Sequence, residues 1–434
     1  MNGGTETWRR AIRESAVVLA LGCLAPTSHA ESLSEVVRHA LDTHPAMQAA
    51  SSASAASELQ LQVSRAVRWP QLGLVADPGR GGVSRASGSE VGDVALRASL
   101  LLYDGGRSRE SIGRDESRAR AAMADLRLSS EELAGRIADV YIELYRQERL
   151  ASIARENFQA HQALYDRVRE IASFDRGRAS DLLQAGARLE QAGLSLAARE
   201  GAVAELRAVL AGIAGLDVHA VELPEEPLSA ETVTLAAAVG ALDQHPAVMA
   251  ADAEAEAAER SARLASGWVH PRIDLLATAE SPVEAGAGRR YFDDLSVRVA
   301  ATWAPVDGGA GRAAARVADR HSDQARAAAQ AIRRELSARI AGLWTQLGAR
   351  QARVRSQQVL VARTQDVREA YWQQFTIGRR SIIDLLNAEG EHFQARTSAE
   401  DERVGLLQAR YRLLAAEARL TTWLGVVQAA EQRP

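Results

Sequence analysis

The stretch LDTHP at residues 41–45 returns as LDQHP at residues 242–246, displaced by 201 positions. The motif Phe-x-x-Gly at 174–177 returns at 375–378 with the same displacement. A solenoid would show a period of about 20–50 residues, so this is a different kind of repeat. We interpret the chain as two copies of one supersecondary block, which predicts a single architecture built from two similar halves.

Two prolines, Pro224 and Pro227, lie between the copies and mark a linker. We therefore expect a first structural repeat over residues 31–223 and a second over 224–434. Each repeat shows the same order of parts. A short helix comes first, then a second helix opened by the proline of the His-Pro step, then a pair of strands and a long helical hairpin.

Residues 1–30 are typical of a secretory signal peptide. A positively charged start is followed by a short apolar core at 15–25, and the sequence SHA at 28–30 fits cleavage after Ala30. Lipid attachment at Cys23 is the alternative form of processing. Cys23 is the only cysteine, so a chain cut after Ala30 has no disulfide.

The composition indicates long helices rather than a large globular core. Only 4% of the residues are aromatic, and all 52 basic residues are arginines. With a net charge of −4, nothing in the sequence suggests nucleic acid as a partner. The sequence contains no Gly-x-Ser-x-Gly, no His-Glu-x-x-His and no phosphate-binding glycine loop, so we expect neither an enzyme nor a cofactor.

Each half contains two segments in which apolar and polar residues alternate. The longer ones, 94–102 and 295–303, carry apolar residues on one face and Arg97 or Arg298 on the other. Lipid-facing strands of a membrane barrel need about 9–11 residues with this pattern. A half-buried hairpin of a soluble protein shows the same alternation, but the export signal and the long helices favour the barrel. Arg97 and Arg298 would then face its lumen, although simple solvation of a polar face is the alternative.

A helix without proline follows each strand pair. From Gly106 to Gly177 it would extend over roughly 105 Å, at about 1.5 Å per residue, which indicates a coiled-coil-like assembly. The chain then turns and returns. Asp181 follows Gly177 by four residues and Asp384 follows Gly378 by six, yet each aspartate lies 77 residues after the Asp-Gly-Gly motif of its own half. We infer that both turns lie at one level.

Four strands cannot close a membrane barrel, which needs about eight, and open sheet edges are not tolerated in lipid. Several chains must therefore share one barrel, and three chains would supply twelve strands. The expected fold is mainly α with membrane β. Long antiparallel helical hairpins form an α-barrel, and four strands per chain contribute to a 12-stranded trimeric β-barrel.

These motifs together resemble TolC-like outer-membrane efflux proteins. The resemblance rests on His44-Pro45, the run WPQLGL at 69–74, the two Asp-Gly-Gly motifs and the two Phe-x-x-Gly turns, in matching order over the mature chain. It implies a homotrimer in the cell outer membrane, with a tunnel that extends into the periplasm. It also implies docking to an inner-membrane transporter through a periplasmic adaptor protein.

The two turn sequences indicate the subfamily. GRASDLLQA at 177–185 and GRRSIIDLLNA at 378–388 look most like type I protein-secretion channels, which serve an ABC transporter. In the best-known multidrug member both turns have the longer spacing, so the short first turn departs from it. The alternative is a small-molecule efflux channel that serves an RND pump. A more distant alternative is a soluble periplasmic coiled-coil adaptor.

The resemblance implies that the turns close the tunnel with aspartates and an arginine–aromatic network. By motif position the candidates for this constriction are Asp181, Asp384, Arg380, Phe375 and Arg178. Asn387 occupies a position that is aspartate in some relatives. Capping of the returning helices is the alternative role for the two aspartates. His44 and His245 lack a paired ligand at helical spacing, so we expect structural roles for them and no metal site.

Overall fold

The computed structural model describes residues 31–77, 91–174, 178–227, 234–284 and 294–426. The predicted signal peptide lies outside these residues, as do Cys23 and Gly177 of the first turn.

Among the described residues, the two halves share one order of main elements, to which the second half adds two 3₁₀ turns and a short last helix. The first half consists of α1 (Leu33–Thr43), α2 (Pro45–Ala66), β1 (Gln71–Asp77), β2 (Val91–Tyr103), α3 (Arg107–Phe174) and α4 (Ala179–Ala214). The second half consists of α5 (Leu235–Gly240), a 3₁₀ turn (Leu242–Gln244), α6 (Pro246–Ser266), a second 3₁₀ turn (Gly267–Val269), β3 (Arg272–Glu284), β4 (Asp294–Thr302), α7 (Ala310–Thr376), α8 (Ile382–Ala416) and α9 (Leu420–Trp423). The mainly helical fold with four strands, expected from the sequence, is confirmed.

The repeated histidines cap helices. The Nδ1 atom of His44 accepts a hydrogen bond from the backbone N–H of Ala46 at 3.1 Å, and Nδ1 of His245 does the same for Ala247 at 3.2 Å. In both cases proline is the first residue of the helix that follows. The His-Pro step is therefore a helix-start signal, because the ring nitrogen satisfies one of the free N–H groups of the first turn.

The four strands form one antiparallel sheet in the order β1-β2-β3-β4. Arg97 lies opposite Thr278 and Arg298 lies opposite Leu276, so both arginines belong to one face. The other face is apolar and exposed, as shown by Leu72, Leu74, Leu295, Val297 and Val299. Apolar surface in water costs about 25 cal/mol per Å², so this face requires an apolar environment.

The two longest helices run the length of the molecule. α3 has 68 residues and α7 has 67, so each extends over roughly 100 Å at about 1.5 Å per residue. Near the sheet the helices contact one another in the order α2–α3–α6–α7, and towards the turns in the order α4–α3–α8–α7. α2 and α4 thus form one edge of the helical layer, and α7 forms the other. Of the described helices, none has an apolar stretch long enough to cross a membrane.

Both edges of the helical layer expose apolar side chains. These are Leu59 and Val63 on α2, Leu183 and Leu194 on α4, and Val317 and Val359 on α7. A helix normally turns its apolar stripe towards a packing partner. The edges of the single chain are therefore surfaces for helix–helix contact.

The largest buried core lies halfway along the helices, where α1, α3, α4, α8 and α9 meet. The buried carboxylate of Glu131 accepts hydrogen bonds from the backbone N–H of Leu420 at 3.0 Å and of Thr421 at 3.2 Å. Burial raises the pKa of Glu131, although these bonds oppose the shift. Glu131 thereby fixes the start of α9 to α3, although 289 residues separate the partners in sequence.

Tyr141 joins the start of the described chain to the linker between the halves. Its buried hydroxyl donates to the carbonyl oxygen of Glu31 at 2.7 Å and accepts from the backbone N–H of Glu222 at 2.9 Å. In α8, the hydroxyl of Tyr411 donates to the carbonyl of Glu225 at 2.8 Å. The linker is therefore held against the central core by two tyrosines.

The Asp-Gly-Gly motifs connect the strands to the long helices. The carboxylate of Asp104 accepts hydrogen bonds from the backbone N–H of Gly106 at 3.0 Å and of Ser108 at 2.6 Å. Asp307 makes the same pair of bonds, at 3.0 and 2.6 Å, to the residues two and four positions further on. All four glycines have positive φ, between 67° and 89°. Each long helix thus starts from a rigid turn that is capped by an aspartate.

We predict that Asp104→Ala and Asp307→Ala each lower the free energy of unfolding by about 1 kcal/mol, because each removes a helix cap. The measurement is urea unfolding of the detergent-solubilised protein, followed by circular dichroism. Asp319→Ala, at an exposed position within α7, is the control and should have little effect. Equal stability of all three variants would contradict the capping role.

Candidate functional site

The second hairpin turn is built from a helix end and a helix start. At the end of α7 the N–H of Gly378 donates to the carbonyl of Phe375, and the N–H of Arg379 donates to that of Gln374, both at 2.9 Å. With Gly378 at φ 74°, this is a Schellman motif. Ser381 then caps α8, since its Oγ accepts from the N–H of Asp384 at 3.2 Å. The six-residue spacing from Gly378 to Asp384 leaves room for both the Schellman motif and the serine cap.

Arg380 connects the two arms of this turn. Its Nε donates to the side-chain oxygen of Gln374 at 3.0 Å, and its guanidinium carbon lies 4.2 Å from the centre of the Tyr371 ring. Its Nη1 lies 3.6 Å from a carboxylate oxygen of Asp384. The side chain therefore holds the end of α7 and the start of α8 together through a hydrogen bond, a cation–π contact and an ion pair.

The start of α4 differs from that of α8. α4 begins at Ala179, and Arg178 stands at the cap position without capping the helix through its side chain. Its Nη1 lies 3.6 Å from a carboxylate oxygen of Asp181. The paired arginine and aspartate are therefore three positions apart in the first turn and four positions apart in the second.

Neither candidate aspartate occupies an N-cap position, so the expected capping alternative is wrong in this detail. Asp181 and Asp384 both lie inside the first turn of their helices, and Ser381 is the residue that caps α8. Both side chains are partly exposed, at 24% and 41%. The positive end of a helix dipole favours a carboxylate at this place. The turns thus present two negative charges at the far end of the hairpins from the sheet.

Phe375 belongs to the hydrophobic core next to the turns. It is buried in a cluster that takes side chains from all four hairpin helices. The other buried members are Leu164, Val168, Ala185, Ile382, Leu385 and Leu386. The ring that Arg380 contacts is that of Tyr371, which no motif in the sequence marks. Tyr371 precedes Phe375 by one helical turn, and only the reversal of the chain at Gly378 brings it close to Arg380.

Asn387 is exposed and follows Asp384 by three residues in α8. It therefore lies on about the same helix face, one turn further from the tip. An amide at this position adds polarity without charge, so the second hairpin has one carboxylate here. The contribution of these residues to a constriction stays a prediction.

Arg97 and Arg298 border a shallow cleft of about 630 Å³ on the polar face of the sheet. Thr278 and Ser296 also line it, and Arg272 forms an ion pair with Asp274 at 2.8 Å on the same face. The predicted alternation is therefore present, with a polar, positively charged face opposite an apolar one. That this polar face borders a lumen stays a prediction for these two arginines.

An open sheet with one apolar and one polar face, continued by two hairpins of roughly 100 Å, defines the subunit of a membrane-anchored helical channel. The model of the family described as outer membrane efflux protein matches residues 36–216 and 238–426, one segment in each half. The chain belongs to the outer membrane efflux protein family.

Similar proteins agree with this assignment. The outer membrane efflux protein BepC of Brucella suis is 23% identical over 381 residues, which are 86% of this chain and 82% of BepC. Protein CyaE of Bordetella pertussis is 27% identical over 66% of this chain and 64% of its own length. Among solved structures, the outer-membrane channel OprN has a TM-score of 0.79 at 21% identity and covers 90% of both chains. VceC of Vibrio cholerae has a TM-score of 0.77 at 20% identity and covers 91% of this chain and 96% of its own.

The protein is therefore an efflux channel of the outer membrane, with a tunnel in the periplasm, and acts in a tripartite export system. Its family consists of channel proteins and is not an enzyme family. TolC-like channels are trimeric and work with an adaptor and an inner-membrane pump. The predicted fold class is confirmed, and the alternative of a soluble adaptor is set aside.

We predict that Gly378→Ala destabilises the protein by about 1 kcal/mol, because φ at this position is 74° and an L-side chain is strained there. Gly390→Ala is the matched control. Both glycines have open space around the added methyl group, but Gly390 lies within α8. The control should stabilise the protein by roughly 0.5–1 kcal/mol. Urea unfolding measures both, and the same sign for both variants would refute the argument.

Proposed function

We propose that this channel serves a type I protein-secretion system, in which an inner-membrane ABC transporter passes a polypeptide through a periplasmic adaptor into the tunnel. The observation that carries the proposal is the pair of unequal turns. The short turn before Asp181 and the longer one before Asp384 resemble those of protein-secretion channels, and the helices that follow them start in different ways. The adaptor, the transporter and the lumen position of Arg97 and Arg298 belong to the same proposal.

The hairpin turns form the gate at the periplasmic end in this proposal. Three copies of Asp181 and Asp384 would place carboxylates around the opening, and such rings favour cations. Arg380 acts as the latch through its contacts with Tyr371, Gln374 and Asp384. Phe375 supports the latch from the core, and Arg178 restrains Asp181.

The strength of this latch suits a gate that a partner can open. The Arg380 and Asp384 side chains are both more than a third exposed, so water screens their ion pair. Such a pair contributes at most about 1 kcal/mol, and an exposed cation–π contact contributes a similar amount. Three copies together hold the turns closed by a few kcal/mol, roughly the range of an allosteric coupling energy.

We predict that Arg380→Asp raises the ion conductance of the channel in planar bilayers, because it removes the latch and adds repulsion towards Asp384. Arg379→Asp is the matched control. Arg379 is the exposed neighbour, and the same charge reversal there should leave the conductance close to that of the original protein. Unchanged conductance in Arg380→Asp, or equal increases in both variants, would remove Arg380 from the gate.

A small-molecule efflux channel that serves an RND pump is the second candidate. One observation favours it. BepC, which this chain matches over a larger share of the relative's length than CyaE, is named an outer membrane efflux protein. The two candidates differ in the partner that delivers the cargo. They share the trimer, the tunnel and the gate.

Complementation separates the two candidates. The chain is produced in two bacterial strains that lack their own outer-membrane channel, one with a type I transporter and adaptor, the other with an RND pump and adaptor. We expect secretion of the transporter's protein substrate to return in the first strain, and drug resistance to stay low in the second. Each strain with its own channel restored is the positive control. Restored resistance without secretion would replace the proposal by the second candidate.

A further inference from the structure

A cleft of about 680 Å³ lies directly beneath the sheet, between α2, α3 and α6. Four arginines line it. Arg65 lies in the last turn of α2 and Arg68 just after that helix, while Arg109 comes from the first turn of α3 and Arg260 from α6. Trp69 and Ile112 supply apolar wall, and Gly113 lies where the Arg260 side chain crosses α3.

The charges of this cleft are not balanced. Arg260 is shared between Glu110 at 3.4 Å and Glu256 at 3.6 Å. Within the described ranges, Arg65, Arg68 and Arg109 form no ion pair, and all three are exposed. Glu116 is the one acidic residue of the lining. The cleft therefore carries excess positive charge and has guanidinium donors available for an anion.

The position of the cleft matches the membrane surface. Pro70 separates its lining residue Trp69 from the first residue of β1, and Arg109 is the third residue of α3. On the apolar face of the sheet, Trp303 is 59% exposed directly after β4, and tryptophan in such places marks the membrane–water interface. The headgroup layer of a bilayer extends about 5–8 Å beyond the hydrocarbon on each side. The arginines thus lie at the level of lipid phosphates.

The arginine pair Arg65 and Arg68 has no counterpart in the second half. The positions 201 residues after Arg65 and Arg68 hold Ser266 and Val269, which carry no charge. A general attraction of basic residues to the membrane would act on both halves alike. An arginine pair on one half alone, gathered with Arg109 and Arg260 around a cleft, indicates a specific site with three copies in the trimer.

We propose that this cleft binds the phosphodiester headgroup of a phospholipid from the periplasmic leaflet of the outer membrane. Arg65, Arg68 and Arg109 contact the phosphate oxygens, for which the planar guanidinium is well suited. Glu116 accepts hydrogen bonds from hydroxyl or ammonium groups of the headgroup, and the acyl chains pass Trp69 towards the bilayer. The proposal depends on the location in the outer membrane and is independent of the cargo that the channel exports.

The test uses the full-length trimer in detergent and native mass spectrometry with added short-chain phosphatidylglycerol. We expect the double variant Arg65→Gln, Arg68→Gln to bind this lipid about tenfold more weakly, because charge-assisted hydrogen bonds are lost. The matched control is Arg312→Gln, Arg316→Gln, which removes the same charge at the start of α7. This control should retain the lipid. An equal loss in both double variants, or in neither, would overturn the proposal.

Inorganic phosphate, added together with the lipid as a competitor, distinguishes the source of the anion. Phosphate should compete only weakly, since it lacks acyl chains; competition as strong as that of the lipid would overturn the lipid assignment in favour of free phosphate. The single variant Arg109→Gln provides a second test if the double variant does not assemble, and it should weaken lipid binding by several-fold. Bilayer conductance of each variant confirms that the channel has formed, so a failure here is separate from any failure in secretion.

Discussion

A β-strand in lipid must have every backbone N–H and C=O bonded, and one chain of this protein cannot meet that requirement alone. Its sheet has β1 and β4 as edge strands, and its helical layer has α2 and α4 at one edge and α7 at the other. Apolar residues are exposed at both helical edges. TolC-like channels are trimeric. In such a trimer, association of three copies would pair the edge strands and bury the helix edges in the same step.

Within one chain, the hairpins are held together mainly by apolar contact. The central core and the core at the turns both take residues from both halves. Arginine–carboxylate pairs such as Arg396–Glu156 and Arg412–Asp139, both at 2.7 Å, also join α8 to α3. These pairs are partly exposed, and each contributes little on its own. The hairpins are thus fixed at two levels by burial, and the ion pairs add only a small contribution between α8 and α3.

The sequence alone predicts the order of elements, because each type of element has a local signal: the His-Pro step, the alternating runs, the Asp-Gly-Gly turns and the long apolar rhythm. It also predicts which face of the sheet carries Arg97 and Arg298. It does not predict that Tyr371 contacts Arg380, because the Schellman motif creates that pair. Nor does it predict that Glu131 binds the start of α9, since the partners are almost 290 residues apart. Contacts of this kind depend on tertiary packing and leave no local pattern.

The Asp-Gly-Gly joints give the long helices a mechanical property. Each joint fixes the angle between a strand and a helix through two backbone hydrogen bonds to one carboxylate. A helix of roughly 100 Å acts as a lever arm, so a change of one degree at the joint would move its far end by about 1.7 Å. A small change in the strand–helix angle at the membrane therefore becomes a large displacement at the far end of the helix. The stiffness of these few residues sets how accurately three copies can meet around a common axis.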